Sequence, residues 1–185
     1  MTKKYAALLR GINVGGKKKV PMAELRQVME GLGLGDVQTY LQSGNAVFSS
    51  PGEDTTALAR RLERAIEDHF GFPVPCLVVD GPHLKAVADA CPFPAAELEG
   101  RQLHATFLSE QPQESRFASI DPAAHLPEEY RLGDRVLYLY APDGLGRSKL
   151  AEALHRPSVL KGLDATTRNW NTVAKLVELT EEQGA

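Results

Sequence analysis

Val37-Gln38-Thr39-Tyr40-Leu41-Gln42-Ser43-Gly44-Asn45-Ala46-Val47-Phe48-Ser49 is the stretch on which the fold turns. Val37–Gln42 and Asn45–Ser49 read as two short strands about Ser43-Gly44, a turn pair that permits a tight antiparallel hairpin. A doubly wound parallel sheet would need a helical crossover between these strands, and two turn residues cannot supply one. The neighbouring segments extend this reading in both directions. Upstream, Tyr5–Arg10 (YAALLR) is almost continuously apolar and suits a central strand. Met22, Leu25, Val28, Met29 and Leu32 recur at helical spacing after Pro21, which fits a first helical position, and Gly33 and Gly35 stop the helix. Downstream, Leu58, Leu62, Ile66 and Phe70 step by four along a helix from about Asp54 to Phe70, and Val74–Asp80 reads as a strand with Pro75 near its beginning.

Strand, helix, strand, strand, helix, strand within residues 1–80 is the split βαβ order of ferredoxin-like domains. Residues 81–100 form a connector with a helix near His83–Ala90 and the Pro-containing CPFPAAELEG. Residues 101–185 repeat the order in part: a strand at Gln102–Ser109, a short helical or irregular stretch near Glu114–Ile120, a hairpin of Tyr130–Leu132 with Arg135–Tyr140 about Gly133-Asp134, and helices near Ser148–His155 and Thr167–Thr180. The expectation is an α+β protein of two ferredoxin-like halves with antiparallel or mixed sheets. Because two turn residues join strands two and three, and a right-handed crossover joins strands one and two, the latter pair should be parallel.

Composition narrows the class. With 185 residues, 43% hydrophobic and 24% charged, the chain can bury one or two cores and needs no disulfide scaffold. Its longest apolar runs are far shorter than a bilayer span and the N-terminus lacks a leader pattern, which leaves the cytoplasm as the expected location and no membrane partner. Cys76 and Cys91 form no CxxC pair and are expected as free thiols. His69, His83, His104, His125 and His155 are dispersed without zinc spacing, so no metal and no cofactor is expected. Carboxylate pairs such as Glu128-Glu129 read as surface charge, and Ser43 lacks the GxSxG setting of a hydrolase nucleophile.

Charge is distributed unevenly. The formal net charge is −3, yet residues 1–20 carry +6 and no acid, and residues 144–175 carry +4. These 52 positions hold 12 of the 21 basic residues, about twice an even share, which points to a phosphate-bearing partner despite the acidic balance. If strands one and two run parallel, their C-terminal ends place the loop Gly11–Val20 beside the turn Gln42-Ser43-Gly44-Asn45. Arg10, Gly11, Asn13, Gly15, Gly16, Lys17, Lys18 and Lys19 would then face Gln42, Ser43, Gly44 and Asn45 across one anion site. The plainer reading gives the glycines to turns that need φ > 0 and leaves the lysines solvated. Ser148 and Lys149 at one helix start, with Arg168 and Asn169 in Thr166-Thr167-Arg168-Asn169-Trp170-Asn171 at another, are candidates for further anion contacts. Ser148 and either Thr166 or Thr167 are also expected as caps, and Trp170 as a packing residue.

Gly11–Lys17 matches seven positions of the GxxxxGK[ST] phosphate loop, and LVVD at 77–80 superficially resembles its companion motif. Lys18 stands where a magnesium-binding hydroxyl belongs, and the helix opens too late, at Pro21. The aromatic RNA-binding pattern of ferredoxin-like domains is absent from NAVFSS. Three functional readings follow: a binding protein for a nucleic acid or nucleotide, a phosphoryl-transfer or hydrolytic enzyme using the same loop, and a protein-interaction module, with a homodimer as an option because YAALL and CLVVD suit a sheet covered on both faces.

Four segments, YAALLRGINVGGKKKVPMAELR, TYLQSGNAVFSS, GRSKL and TTRNWNTVAKL, closely resemble those of the bacterial family called domain of unknown function 1697. The resemblance implies two ferredoxin-like halves and brings no activity or catalytic residue. Its recognisable positions fall at Arg10, Gly11, Asn13, Gly15, Gln42, Ser43, Gly44, Asn45, Ser148, Lys149, Arg168, Asn169 and Trp170.

Overall fold

The computed structural model describes residues 2–181. Contacts group the residues up to Lys85, together with those from Leu176 on, into one compact unit and Ala86–Lys175 into a second. The sequence boundaries at 80 and 101 therefore differ from this grouping in two places. The first residues of the helix Gly81–Asp89 (α3) go with the first unit, and so does the end of the last helix, Trp170–Thr180 (α5), which the sequence reading gave to the C-terminal half. Close packing explains the second difference: a Cβ on Gly81 would lie 3.2 Å from the Thr180 carbonyl oxygen and 3.4 Å from that of Lys4.

The first unit runs β1 (Lys3–Leu9), α1 (Met22–Gly31), β2 (Gly35–Tyr40), β3 (Asn45–Ser50), α2 (Thr55–Phe70) and β4 (Cys76–Asp80). Its sheet is ordered β2-β3-β1-β4, with β3 inserted between β1 and β2 and every neighbouring pair antiparallel. Since β3 opposes both, β1 and β2 run parallel, as the crossover argument requires. Tyr5, Ala7 and Leu9 share one face of the sheet with Ala46, Phe48, Cys76 and Val78, and pack with Leu25 and Met29 of α1 and Leu58, Leu62 and Ile66 of α2. Burying a leucine of that stripe is worth about 1.5–3 kcal/mol. Asp54 Oδ2 accepts from the Ala57 amide at 3.0 Å to start α2, and Gly71 at φ 85° ends it. Ala6, Leu8, Val47, Leu77 and Val79, on the opposite face, are buried as well.

Two local details differ from the sequence reading. Pro21 precedes the first residue of α1 instead of being that residue; its carbonyl accepts the Leu25 amide at 3.0 Å. The hairpin turn contains four residues, Leu41–Gly44, instead of two. Leu41 at φ 60° and Gly44 at φ 100° both take left-handed backbone, so the chain reverses over a wider arc before Asn45 pairs with Tyr40. Gly44 is required there: a Cβ would fall 2.7 Å from Leu9 Cβ and 2.8 Å from Ile12 Cδ1.

In the second unit, β5 (Leu103–Leu108), β6 (Glu129–Gly133), β7 (Val136–Tyr140) and β8 (Ala165–Asn169) form an antiparallel sheet ordered β6-β7-β5-β8, with helix α4 (Lys149–Leu154) between β7 and β8. This order repeats that of the first unit position for position. Short 3₁₀ turns at Glu114–Phe117 and Pro122–His125 stand between β5 and β6, where the first unit has α1. The segment read as a helix start, Thr166–Asn169, belongs to β8 and corrects that expectation. Thr167 pairs with Thr106 and Arg168 with Ala105, so cross-strand pairing with β5 prevails over the capping preference of the threonines. The helix opens only at Trp170, and its cap is Asn169, whose Oδ1 accepts from the Thr172 amide at 3.0 Å.

Candidate functional site

The connection between β1 and α1 is a small finger anchored at both ends. Ile12 and Val20 are buried in the first unit's core, at 1% and 0% exposure, so the residues between them project from fixed points. Val14 and Lys17 form an isolated antiparallel bridge, and the Lys17 amide donates to the Val14 carbonyl at 3.1 Å. Gly15 and Gly16, at φ 60° and 74°, are the two central residues of this turn, the positive-φ pair of a tight two-residue hairpin. One step outward, the Asn13 amide donates to the Lys18 carbonyl at 3.1 Å.

Asn13 is the clasp. Its Oδ1 accepts from the Val20 amide at 2.8 Å, while its Nδ2 donates to the Val20 carbonyl at 3.0 Å and to the Gln42 carbonyl at 2.7 Å. The last bond fastens the finger to the turn between β2 and β3. Arg10, Gly11, Gly15, Gly16, Lys17, Lys18 and Lys19 are exposed, as are Gln42 and Ser43. Gly44 and Asn45 are buried; Asn45 Nδ2 donates to the Tyr40 carbonyl at 2.8 Å and to Ser43 Oγ at 3.2 Å, so this side chain braces the turn. Lys18 Nζ reaches the Pro73 carbonyl at 3.5 Å. The loop is thus a hairpin whose central amide hydrogen bond closes on itself. It does not lead directly into a helix, as a nucleoside-triphosphate loop does, because α1 begins at Met22.

The candidates in the second unit have other structural work. Ser148 Oγ accepts from the Ala151 amide at 2.9 Å and caps α4, as its sequence predicts. Lys149 is exposed, with Nζ 3.9 Å from Glu152. Arg168 Nη1 donates to the Thr167 carbonyl at 3.0 Å, and Asn169 caps α5. Trp170 is half-buried, its ring 6.3 Å from that of Tyr138. A cavity of about 230 Å³ in this unit is lined by Leu126, Tyr130, Leu150 and Glu128 among others, and by none of the binding residues proposed from sequence.

A family model described as a protein of unknown function, DUF1697, matches residues 1–138. The chain belongs to the DUF1697 family. The match takes in the finger and the β2–β3 turn; GRSKL and TTRNWNTVAKL lie beyond it. This DUF1697 chain is also similar to the solved structure of the conserved bacterial protein SP0830 from Streptococcus pneumoniae, with 24% identity over 98% of this chain and 100% of that one and a TM-score of 0.74. That likeness establishes the fold. No curated protein matches.

The DUF1697 chain also holds a polar cluster that spacing alone did not reveal. On the face of β5 that carries Leu108, toward α4, stand His104 and Thr106. Thr106 Oγ1 lies 2.7 Å from Thr167 Oγ1, and His155 Nε2 lies 3.1 Å from the first hydroxyl and 3.0 Å from the second. His155 Nδ1 is 2.7 Å from the Ala151 carbonyl, which can only accept, so Nδ1 carries the hydrogen. In the neutral tautomer that carries this hydrogen, Nε2 accepts from one threonine while the other donates to the first. His104 is buried, and its Nδ1 has no hydrogen-bond partner among the described residues. Burial first, and the nearby His155 second, push its pKa down to about 4. Two polar side chains at alternate positions of LHATFL were the available signal.

Among the described residues no group of three or more histidine, cysteine or acidic side chains could hold a metal, and no helix is long and apolar enough to cross a membrane.

Proposed function

We propose that this protein binds a phosphate-bearing ligand through the finger at residues 10–19 and the adjoining turn at 42–45. The supporting observation is the Asn13 Nδ2 bond to the Gln42 carbonyl, which joins a turn of polar groups to a finger carrying Lys17, Lys18 and Lys19, all exposed. A cationic surface held on buried anchors meets an anion with little of its backbone left to order. Exposed lysines suit an extended polyanion better than an enclosed mononucleotide, and such binding weakens steeply with salt because counterions are released.

The replacement K17E/K18E/K19E changes three exposed residues. It should abolish retention on a panel of a single-stranded oligonucleotide, a nucleoside triphosphate and polyphosphate, measured by fluorescence anisotropy and calorimetry at low salt. Wild-type protein that ignores the whole panel, or a triple variant that binds as well as wild type, overturns the reading.

A further inference from the structure

The finger and its turn carry something that phosphate binding alone does not call for. Among the described residues three large hydrophobic side chains are exposed, Val14 at 69%, Leu41 at 52% and Leu126 at 63%. Two of the three belong to the finger and the turn that Asn13 joins. Val14 lies at the tip of the finger, next to Asn13, and Leu41 lies in the turn, next to the Gln42 carbonyl to which Asn13 is bonded. Leu41 also holds a left-handed backbone, φ 60°, which asparagine or glycine would adopt with less strain. Two exposed aliphatic side chains therefore accompany Arg10 and the lysine triplet on segments that the Asn13 bond joins.

A single-stranded nucleic acid is gripped by charge together with aromatic faces on which bases stack. Residues 10–20 and 41–45 contain no aromatic residue. A bilayer with anionic headgroups asks for what is present here: cations to meet the phosphates and short aliphatic side chains to enter the boundary between headgroups and acyl chains. Surface adsorption of this kind needs no spanning segment. Resting on the anion-binding reading above, we propose that the phosphate met by this surface belongs to anionic lipid, and that the protein docks on a membrane with Val14 and Leu41 inserted and Arg10, Lys17, Lys18 and Lys19 at the headgroups.

The test is sedimentation of the full chain with phosphatidylcholine vesicles, with and without phosphatidylserine, alongside anisotropy with a single-stranded oligonucleotide. Wild type should bind the phosphatidylserine vesicles and not the neutral ones. Replacing Val14→Ser and Leu41→Asn should weaken vesicle binding on the order of tenfold or more, while a thermal melt like that of the wild type shows that the first unit still folds. K17Q/K18Q/K19Q should weaken vesicle binding on the order of a hundredfold, about fivefold for each charge. Wild type that binds the oligonucleotide but not the vesicles, or a Val14→Ser, Leu41→Asn variant that partitions like wild type, overturns the membrane proposal and leaves the anion reading standing. Indifference of both ligands to K17E/K18E/K19E overturns the two together.

Discussion

The two sheets have the same strand order, β2-β3-β1-β4 and β6-β7-β5-β8, yet their central strands present very different faces to the helices beside them. In the first unit Tyr5, Ala7 and Leu9 enter an apolar core closed by α1 and α2. In the second, Leu108 shares its face with His104 and Thr106, and the six-residue α4 brings His155 into hydrogen bonds with the threonines. One topology therefore tolerates either solution, because strand pairing sets the order while apolar burial only has to be sufficient. The connections after the central strands diverge too. The first is a braced cationic finger followed by a helix, and the second is a run of 3₁₀ turns. Repetition of the sheet does not carry repetition of the site.

Five substitutions probe this contrast. The largest effect is expected at the β2–β3 turn: Gly44→Ala combines left-handed backbone with contacts below 3 Å to Leu9 and Ile12, and should destabilise the first unit by about 3–4 kcal/mol in urea unfolding. Gly133→Ala, at the corresponding hairpin of the second unit, meets side-chain atoms of Tyr138 and Val136 and has no positive φ to violate, so its loss should be about half as large. Equal losses would mean that the two hairpins are not differently constrained.

The second effect concerns pH. An unfolded histidine titrates near 6.5, whereas His104 in the folded protein is held down to about 4. Between these values the unfolded chain binds a proton that the folded chain refuses, so the contribution is fully present above about pH 6.5 and is lost as pH falls toward 4, by up to about 3 kcal/mol. His104→Leu makes this face of β5 more apolar and should remove this part of the acid sensitivity in thermal melts at pH 4.5 and 7. A variant with the wild-type pH slope would assign the sensitivity elsewhere. The smallest effect is expected at the caps. Ser148→Ala in α4 and Asp54→Ala in α2 should each remove about 1 kcal/mol, and the loss should be more visible as amide exchange in the six-residue helix than in the sixteen-residue one.

Most of the first unit was legible because its signals were local: the turn between two short strands, the stripe Leu58-Leu62-Ile66, and an apolar strand suited to the sheet's centre. β8 was not, since Ala165-Thr166-Thr167-Arg168-Asn169 has no apolar alternation and owes its extended form to pairing with β5. Its threonines read as cap residues, whereas the cap is Asn169, read as an anion contact. At the candidate site, the need for positive φ at Gly15, Gly16 and Gly44 was readable from the glycines themselves. The bracing by Asn13 was not, because an amide in a loop gives no sign of a partner 29 residues away. Nor were Val14 and Leu41 readable as surface groups: an aliphatic residue between turn glycines or at a strand end is ordinarily covered, and only the fold shows that these two are not.

The division of α5 bears on how the chain matures during synthesis. The second unit, Ala86–Lys175, is continuous in sequence, whereas the first is closed by residues from Leu176 on. On a translating ribosome the strands and helices of residues 3–80 emerge first, but the segment that packs Thr180 against Gly81 leaves the exit tunnel after the whole second unit has been made. The unit that bears the cationic finger is begun before the other and completed after it.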